Sequence, residues 1–156
     1  VSEFIIKAKV EQPQIVAKFE QRPLKVVLTK GLPGPAGGAA SETVDMVAGQ
    51  NMSTGRVVIV DAGKAWYFQN TDAAHHGRAY GITKTSATAN GTVTVALSGV
   101  VEDSAFGFAA DTVLWVGADG EIFNAQPVTG VIFQKAGVAG GAKKIRIDFS
   151  LSTYTN

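Results

Sequence analysis

Asn90-Gly91-Thr92-Val93-Thr94-Val95-Ala96-Leu97 is the stretch that decides the fold class. From Val93 onward every second residue is apolar, and a period of two places alternate side chains on opposite faces of a strand. One face is therefore expected to be buried and the other wet. Asn90-Gly91 stands at its head, and both residues tolerate the positive φ of a tight turn, so the pair marks a hairpin. Lys144-Ile145-Arg146-Ile147-Asp148-Phe149 repeats the alternation. Further apolar, β-branched runs lie at 56–61, 65–69, 79–83, 113–117, 121–124 and 131–135, and the last alternating run extends over 144–150. Asp61-Ala62-Gly63-Lys64, Asp119-Gly120 and Gly140-Gly141 supply turns between them. Only 42–49 has the pattern of a short helix, a weak one. Residues 42–156 are thus expected to form a small β-barrel or β-sandwich of about eight strands.

The whole chain has 156 residues, 46% of them apolar, which suffices for one domain with an appendage. It contains no cysteine, so disulfides, thiolate metal sites and a cysteine nucleophile are excluded together. No charge-free apolar run approaches the roughly 18 residues of a membrane-spanning helix, and no membrane insertion is expected. Val1-Ser2-Glu3 opens on an acid without a basic stretch leading into an apolar run, so no secretory signal is expected in the chain. The net charge of +1 is unevenly spread. Residues 1–30 hold six basic side chains against three acids, and the remainder holds eight against ten.

Those first thirty residues contain an internal repeat. Lys9-Val10-Glu11-Gln12-Pro13-Gln14-Ile15 recurs as Lys18-Phe19-Glu20-Gln21-Arg22-Pro23-Leu24, and a third pass from Lys25 ends at Pro33. Proline cannot donate to a sheet ladder, so its recurrence at 13, 23 and 33 reads as short strands separated by corners. Isolated strands have no second layer to cover them. Copies from several chains could intertwine as a β-prism or β-helix, with Val10, Ile15, Phe19, Leu24, Val26 and Leu28 as the shared interior. The alternative is an arm that orders only on a partner. Lys7, Lys9, Lys18, Arg22 and Lys25 are the candidate attachment residues for an acidic partner, although lysines on exposed strand faces commonly do no more than solvate them.

Residues 31–41 form the next segment. Gly31, Gly34 and Gly37 are spaced by three, with Pro33 and Pro35 between them, which is the collagen period. So few triplets cannot hold a triple helix alone. They suit a short threefold neck if flanking elements already hold three chains, or else a plain Gly/Pro linker.

Chemistry is sparse. His75-His76 is the sole histidine pair, and Asp72 with Asp61 nearby makes a metal site conceivable without supplying a spaced third ligand. Asn70 to Gly77 reads as a polar loop. Gly63-Lys64 lacks the frame and following helix of a phosphate loop. Glu102, Asp103, Asp111, Asp119 and Glu121 are scattered among turns, so no paired-carboxylate hydrolase is expected. Trp66, Tyr67, Phe68, Trp115 and Phe133 could stack on sugars or bases, but each lies in an apolar run and is expected in the core. Lys143, Lys144 and Arg146 are too few for a nucleic-acid surface. No enzyme, catalytic residue, metal or cofactor is expected.

The layout of proline-spaced strands, Gly31-Leu32-Pro33-Gly34-Pro35-Ala36-Gly37 and a β knob resembles that of trimeric tailed-bacteriophage virion proteins: head fibres, capsid decoration proteins and small tail fibres. The knob carries similar phrases, among them Gly55-Arg56-Val57-Val58-Ile59-Val60-Asp61, Gly81-Ile82-Thr83, Leu97-Ser98-Gly99-Val100-Val101 and Leu114-Trp115-Val116-Gly117-Ala118-Asp119-Gly120. Gln134-Lys135-Ala136-Gly137-Val138-Ala139 closes the series. The resemblance implies a homotrimer on the virion surface, bound by the arm to the major capsid protein or another virion protein, with the knob exposed. The alternative it implies is a tail or baseplate fibre whose knob binds a host surface receptor. Its collagen-like stretch is short, a neck and not a shaft.

Overall fold

The computed structural model describes residues 40–155. They form an all-β unit of two parts, a closed barrel and a second sheet packed on its flank.

β1 (Thr43–Ala48), β2 (Val57–Asp61), β3 (Lys64–Tyr67), β4 (Gly81–Thr83) and β5 (Thr92–Ala96) close the barrel in the order β1-β3-β2-β4-β5. β2 and β3 form a hairpin in which Asp61 faces Lys64. Its two central residues, Ala62 and Gly63, have φ of 47° and 75°, the primed turn that matches strand twist. Closure comes from β1, which pairs parallel with β3 and antiparallel with β5. Residues 42–49, whose pattern suggested a helix, are therefore a strand. Val44, Met46 and Ala48 turn inward while Thr43, Asp45 and Val47 are exposed, and the ladders on both sides outweigh the helix preference of Met and Ala.

Asn90-Gly91 also departs from expectation. β4 and β5 do pair, but eight residues connect them, and Asn90 (φ 66°) turns the chain so that its N–H and the Ala48 N–H complete the ladder to β1.

The second sheet contains β6 (Val100–Glu102), β7 (Val113–Val116), β8 (Ile122–Phe123), β9 (Ile132–Gly141), β10 (Lys144–Ile147) and β11 (Ser152–Tyr154). Its order is β6-β10-β9-β7-β8, with β11 following β10 along the same edge of β9. Gly140-Gly141 belongs to β9 and not to the turn alone, and β6 and β11 bring the strand count to eleven among the described residues. β10 ends at Ile147 because the chain leaves β9 before rejoining it as β11. The buried Gln134 amide donates to the carbonyls of Lys135, Phe149 and Leu151 across this gap, satisfying groups the ladder abandons.

Two cores result, and β2 serves both. Val58 joins Ala48, Met52, Ala65, Val93 and Val95 inside the barrel. Val57 and Ile59, on the opposite face, join Phe68 and Ile82 against Leu114, Val116, Ile132 and Ile145 of the second sheet. A strand covered on both faces needs a continuous apolar run, which Val57-Val58-Ile59-Val60 provides. Leu114 and Val116 take the inward positions of β7, so Trp115 must face outward. Phe133 likewise alternates with buried Ile132 and Gln134. The expectation that Trp115 and Phe133 are core residues is corrected accordingly: they lie on the outer face of the sheet with Val113 and Phe123.

Candidate functional site

A cleft of about 550 Å³ opens on the outer wall of the barrel, bordered by Gln50, Trp66, Gln69, Asp72, His75 and Arg78, with Ile59 and Asp61 beside them. β3 directs Trp66 outward opposite Ile59, and the backbone at Gly49 lies so close that a Cβ there would fall 2.3 Å from Trp66 Cε2. The indole is thus pinned from behind. Its Nε1 is buried and finds no partner among the described residues, so the ring offers hydrocarbon and not its N–H to solvent.

The loop after β3 builds the opposite side. Asp72 caps a single 3-10 turn, Ala73–His75, by accepting from the Ala74 N–H at 2.9 Å. The turn carries the His75 ring back over Phe68, with ring centres 5.8 Å apart. His75 Nδ1 accepts the Gln69 N–H at 2.8 Å. Only a deprotonated ring nitrogen can accept, so Nε2 holds the proton, 3.6 Å from Asp72 Oδ2. Burial holds the imidazole below its ordinary pKa of 6.5, against the opposing pull of Asp72.

Arg78 completes the rim. Its Nη2 donates to the Val60 carbonyl at 2.7 Å and to Asp61 Oδ1 at 3.3 Å. Gln69 is fixed on the far side, its amide exchanging hydrogen bonds with the Asp119 carboxylate (2.6 Å) and the Asp119 N–H (3.0 Å). The cleft is thereby preformed, with polar groups held around an aromatic wall.

No family model matches the chain, and no curated protein matches it. The site therefore rests on its own geometry.

Asp61, Asp72 and His75, the conceivable metal ligands, do border this one cleft. Yet among the described residues no three His, Cys, Asp or Glu side chains gather closely enough to hold a metal ion. Four of the five scattered carboxylates have local partners. Glu102 pairs with Lys144 at 2.9 Å and Glu121 with Arg56 at 2.8 Å, while Asp103 accepts the Ala105 N–H and Asp119 holds Gln69. Asp148 is held down to about 2 by hydrogen bonds from Lys135 and Ser150. Phe68 is fully buried as expected, whereas Trp66 and Tyr67 are half-buried and touch the cleft.

Gln50, Gln69 and Arg78 carried no sequence signal. The one legible hint was the polar loop of residues 70–77 directly after an aromatic strand. No helix among the described residues is long and apolar enough to cross a membrane. The expected arm interior (Val10, Ile15, Phe19, Leu24, Val26, Leu28), neck (Gly31, Pro33, Gly34, Pro35, Gly37) and attachment residues (Lys7, Lys9, Lys18, Arg22, Lys25) lie outside the described residues.

Proposed function

We propose that the chain is a structural virion protein and not an enzyme: a homotrimeric capsid decoration or head-fibre protein, attached to the phage capsid by residues 1–30 and exposing a β knob. The observation that carries this reading is the order of parts along the sequence: proline-spaced repeats at 13, 23 and 33, the Gly31, Gly34 and Gly37 triplets, then a β domain. The all-β unit over residues 40–155 supports the last part. Exposed Val113 and Phe123, flanking Trp115 on the outer face of the second sheet, support an associating chain, since a solitary soluble domain gains nothing from an apolar row in water.

In this reading three arms act together. Once one has bound, the others meet the shell at high effective concentration, and avidity exceeds the strength of any single arm. The excess of basic residues over 1–30 strengthens docking on an acidic shell. Light scattering is expected to give three chains per particle, and purified capsids are expected to retain the full chain but release a variant lacking residues 1–30. A monomer in solution, or a truncated chain that still binds, overturns the proposal.

A second reading, a tail or baseplate fibre whose knob meets a host surface, is favoured by one observation, the preformed cleft beside Trp66. Labelling the chain on intact virions and locating the label by electron microscopy separates shell from tail.

A further inference from the structure

We propose that the cleft between Trp66 and the 3-10 turn binds a neutral pyranose sugar, with the Trp66 ring against its C–H face and Gln50, Asp61, Asp72 and Arg78 meeting its hydroxyls. The inference goes beyond the virion reading and does not need it, because every group involved belongs to the described knob.

A pyranose has two kinds of surface, an apolar patch of axial C–H bonds and a rim of hydroxyls that each donate and accept. A site for it needs an aromatic carbon face and a surrounding set of mixed donors and acceptors. Trp66 meets the first need, because its only polar atom is turned away and buried. The second is met by two carboxylates, two amides and a guanidinium on the same rim.

These groups retain capacity. Among the described residues, Arg78 uses only Nη2, leaving its other N–H groups to donate. Asp61 is approached at Oδ1 alone, and Asp72 receives the Ala74 N–H at Oδ1, with Oδ2 at 3.6 Å from His75. The rim is also rigid, since Arg78 is tied to Val60, His75 to Gln69 and Gln69 to Asp119, so little ordering cost remains on binding.

Size and charge narrow the class. At about 550 Å³ the open cleft is large enough for one or two sugar rings. Two carboxylates stand against one guanidinium, and Arg78 is already shared with Asp61. Acidic sugars and phosphate groups meet net negative charge there, whereas uncharged hydroxyls find acceptors. Two further clefts among the described residues lack a tryptophan. The one over Asn124–Thr129 has Phe123, Pro127 and Val128 in its lining and no cation, and the one beside Phe106 has the Arg56–Glu121 ion pair in its lining.

The two tryptophans make the test direct, since Trp66 borders the cleft and Trp115 lies on the second sheet. In the full chain carrying Trp115→Phe, fluorescence is followed while glucose, galactose, mannose, rhamnose or N-acetylglucosamine is added, with glucuronate as the acidic comparator. At least one neutral sugar is expected to give a saturable change at millimolar concentration, with glucuronate weaker. Asp61→Asn and Arg78→Ala, both exposed and outside the core, are expected to weaken binding about tenfold each, the loss of one charge-assisted hydrogen bond. Trp66→Phe, assayed by NMR shifts of the backbone amides, is expected to retain the fold and lose most of the affinity. A flat response to all five neutral sugars, equal binding of glucuronate, or unchanged affinity in both rim variants overturns the proposal. None of these outcomes bears on trimer formation or capsid binding, so the two proposals fail separately.

Discussion

In the barrel, β1 fills the gap between β3 and β5 and leaves no unpaired edge; in the second sheet, β6 and β8 remain edges among the described residues. The interiors differ to match. The barrel is filled from within by small and medium side chains, Ala48, Met52, Val58, Ala65, Val93 and Val95. The sheet has no enclosed interior and buries its inner face on the barrel wall, where Val57, Ile59, Phe68 and Ile82 receive it. One part closes on itself while the other borrows its cover. The borrowed contact also steadies the cleft, because Gln69 at the barrel end is anchored by Asp119 in the turn between β7 and β8.

That dependence is broken most severely at Gly120. It sits in the β7–β8 turn at φ 65°, donates its N–H to the Phe68 carbonyl, and would place a Cβ 2.2 Å from the Val57 carbonyl oxygen. Gly120→Ala is expected to cost about 3 kcal/mol or more in urea denaturation, because backbone must move as well as adopt a strained φ. Gly63→Ala is the control: its φ of 75° is similarly unfavourable, but nothing lies within 4 Å, so about 1 kcal/mol is expected. Equal costs would show that the turn is not seated on β2.

Ile82→Ala tests whether the shared core is one cooperative unit. Ile82 is fully buried between barrel and sheet, and its truncation is expected to cost about 2 to 4 kcal/mol. Single-tryptophan variants retaining Trp66 or Trp115 report on the two parts separately, and both are expected to show the same shifted midpoint. Two midpoints would mean that the sheet unfolds away from an intact barrel.

The smallest effects are those of pH, and the two parts respond in different windows. His75 on the barrel side has its pKa held below the ordinary 6.5 by burial, with Asp72 and Asp61 opposing and Arg78 reinforcing the shift. On acidification the unfolded chain takes up this proton first, so stability falls as pH drops below 6.5 and levels off beneath the folded value. Protonated Nδ1 would also lose the Gln69 N–H. Asp148 on the sheet side shifts the other way in charge: its contribution is present above 3.8 and disappears as pH falls through about 2. Denaturation midpoints measured against pH are expected to lose the upper step in His75→Gln and the lower one in Asp148→Asn.

Strand alternation and turn residues were enough to predict a mainly β knob and the turn between β2 and β3. Period-two patterns and positive-φ residues act within a few positions, so a linear reading captures them. Three features needed the third dimension. Residues 42–49 alternate, but their strand identity depends on partners about twenty and fifty residues away. Trp115 and Phe133 belong to apolar runs whose inward member is chosen by register, and register is set by what the sheet packs against. The cleft joins Gln50, Trp66 and Arg78 from three separate segments, and no spacing between them encodes a site. The sequence by itself determined that the knob would be built mainly of strands with two kinds of face. Which faces met, and what stood around the cleft they left open, was decided only by closure of the barrel and the docking of the second sheet upon it, because burial rewards contacts regardless of how far apart they lie along the chain.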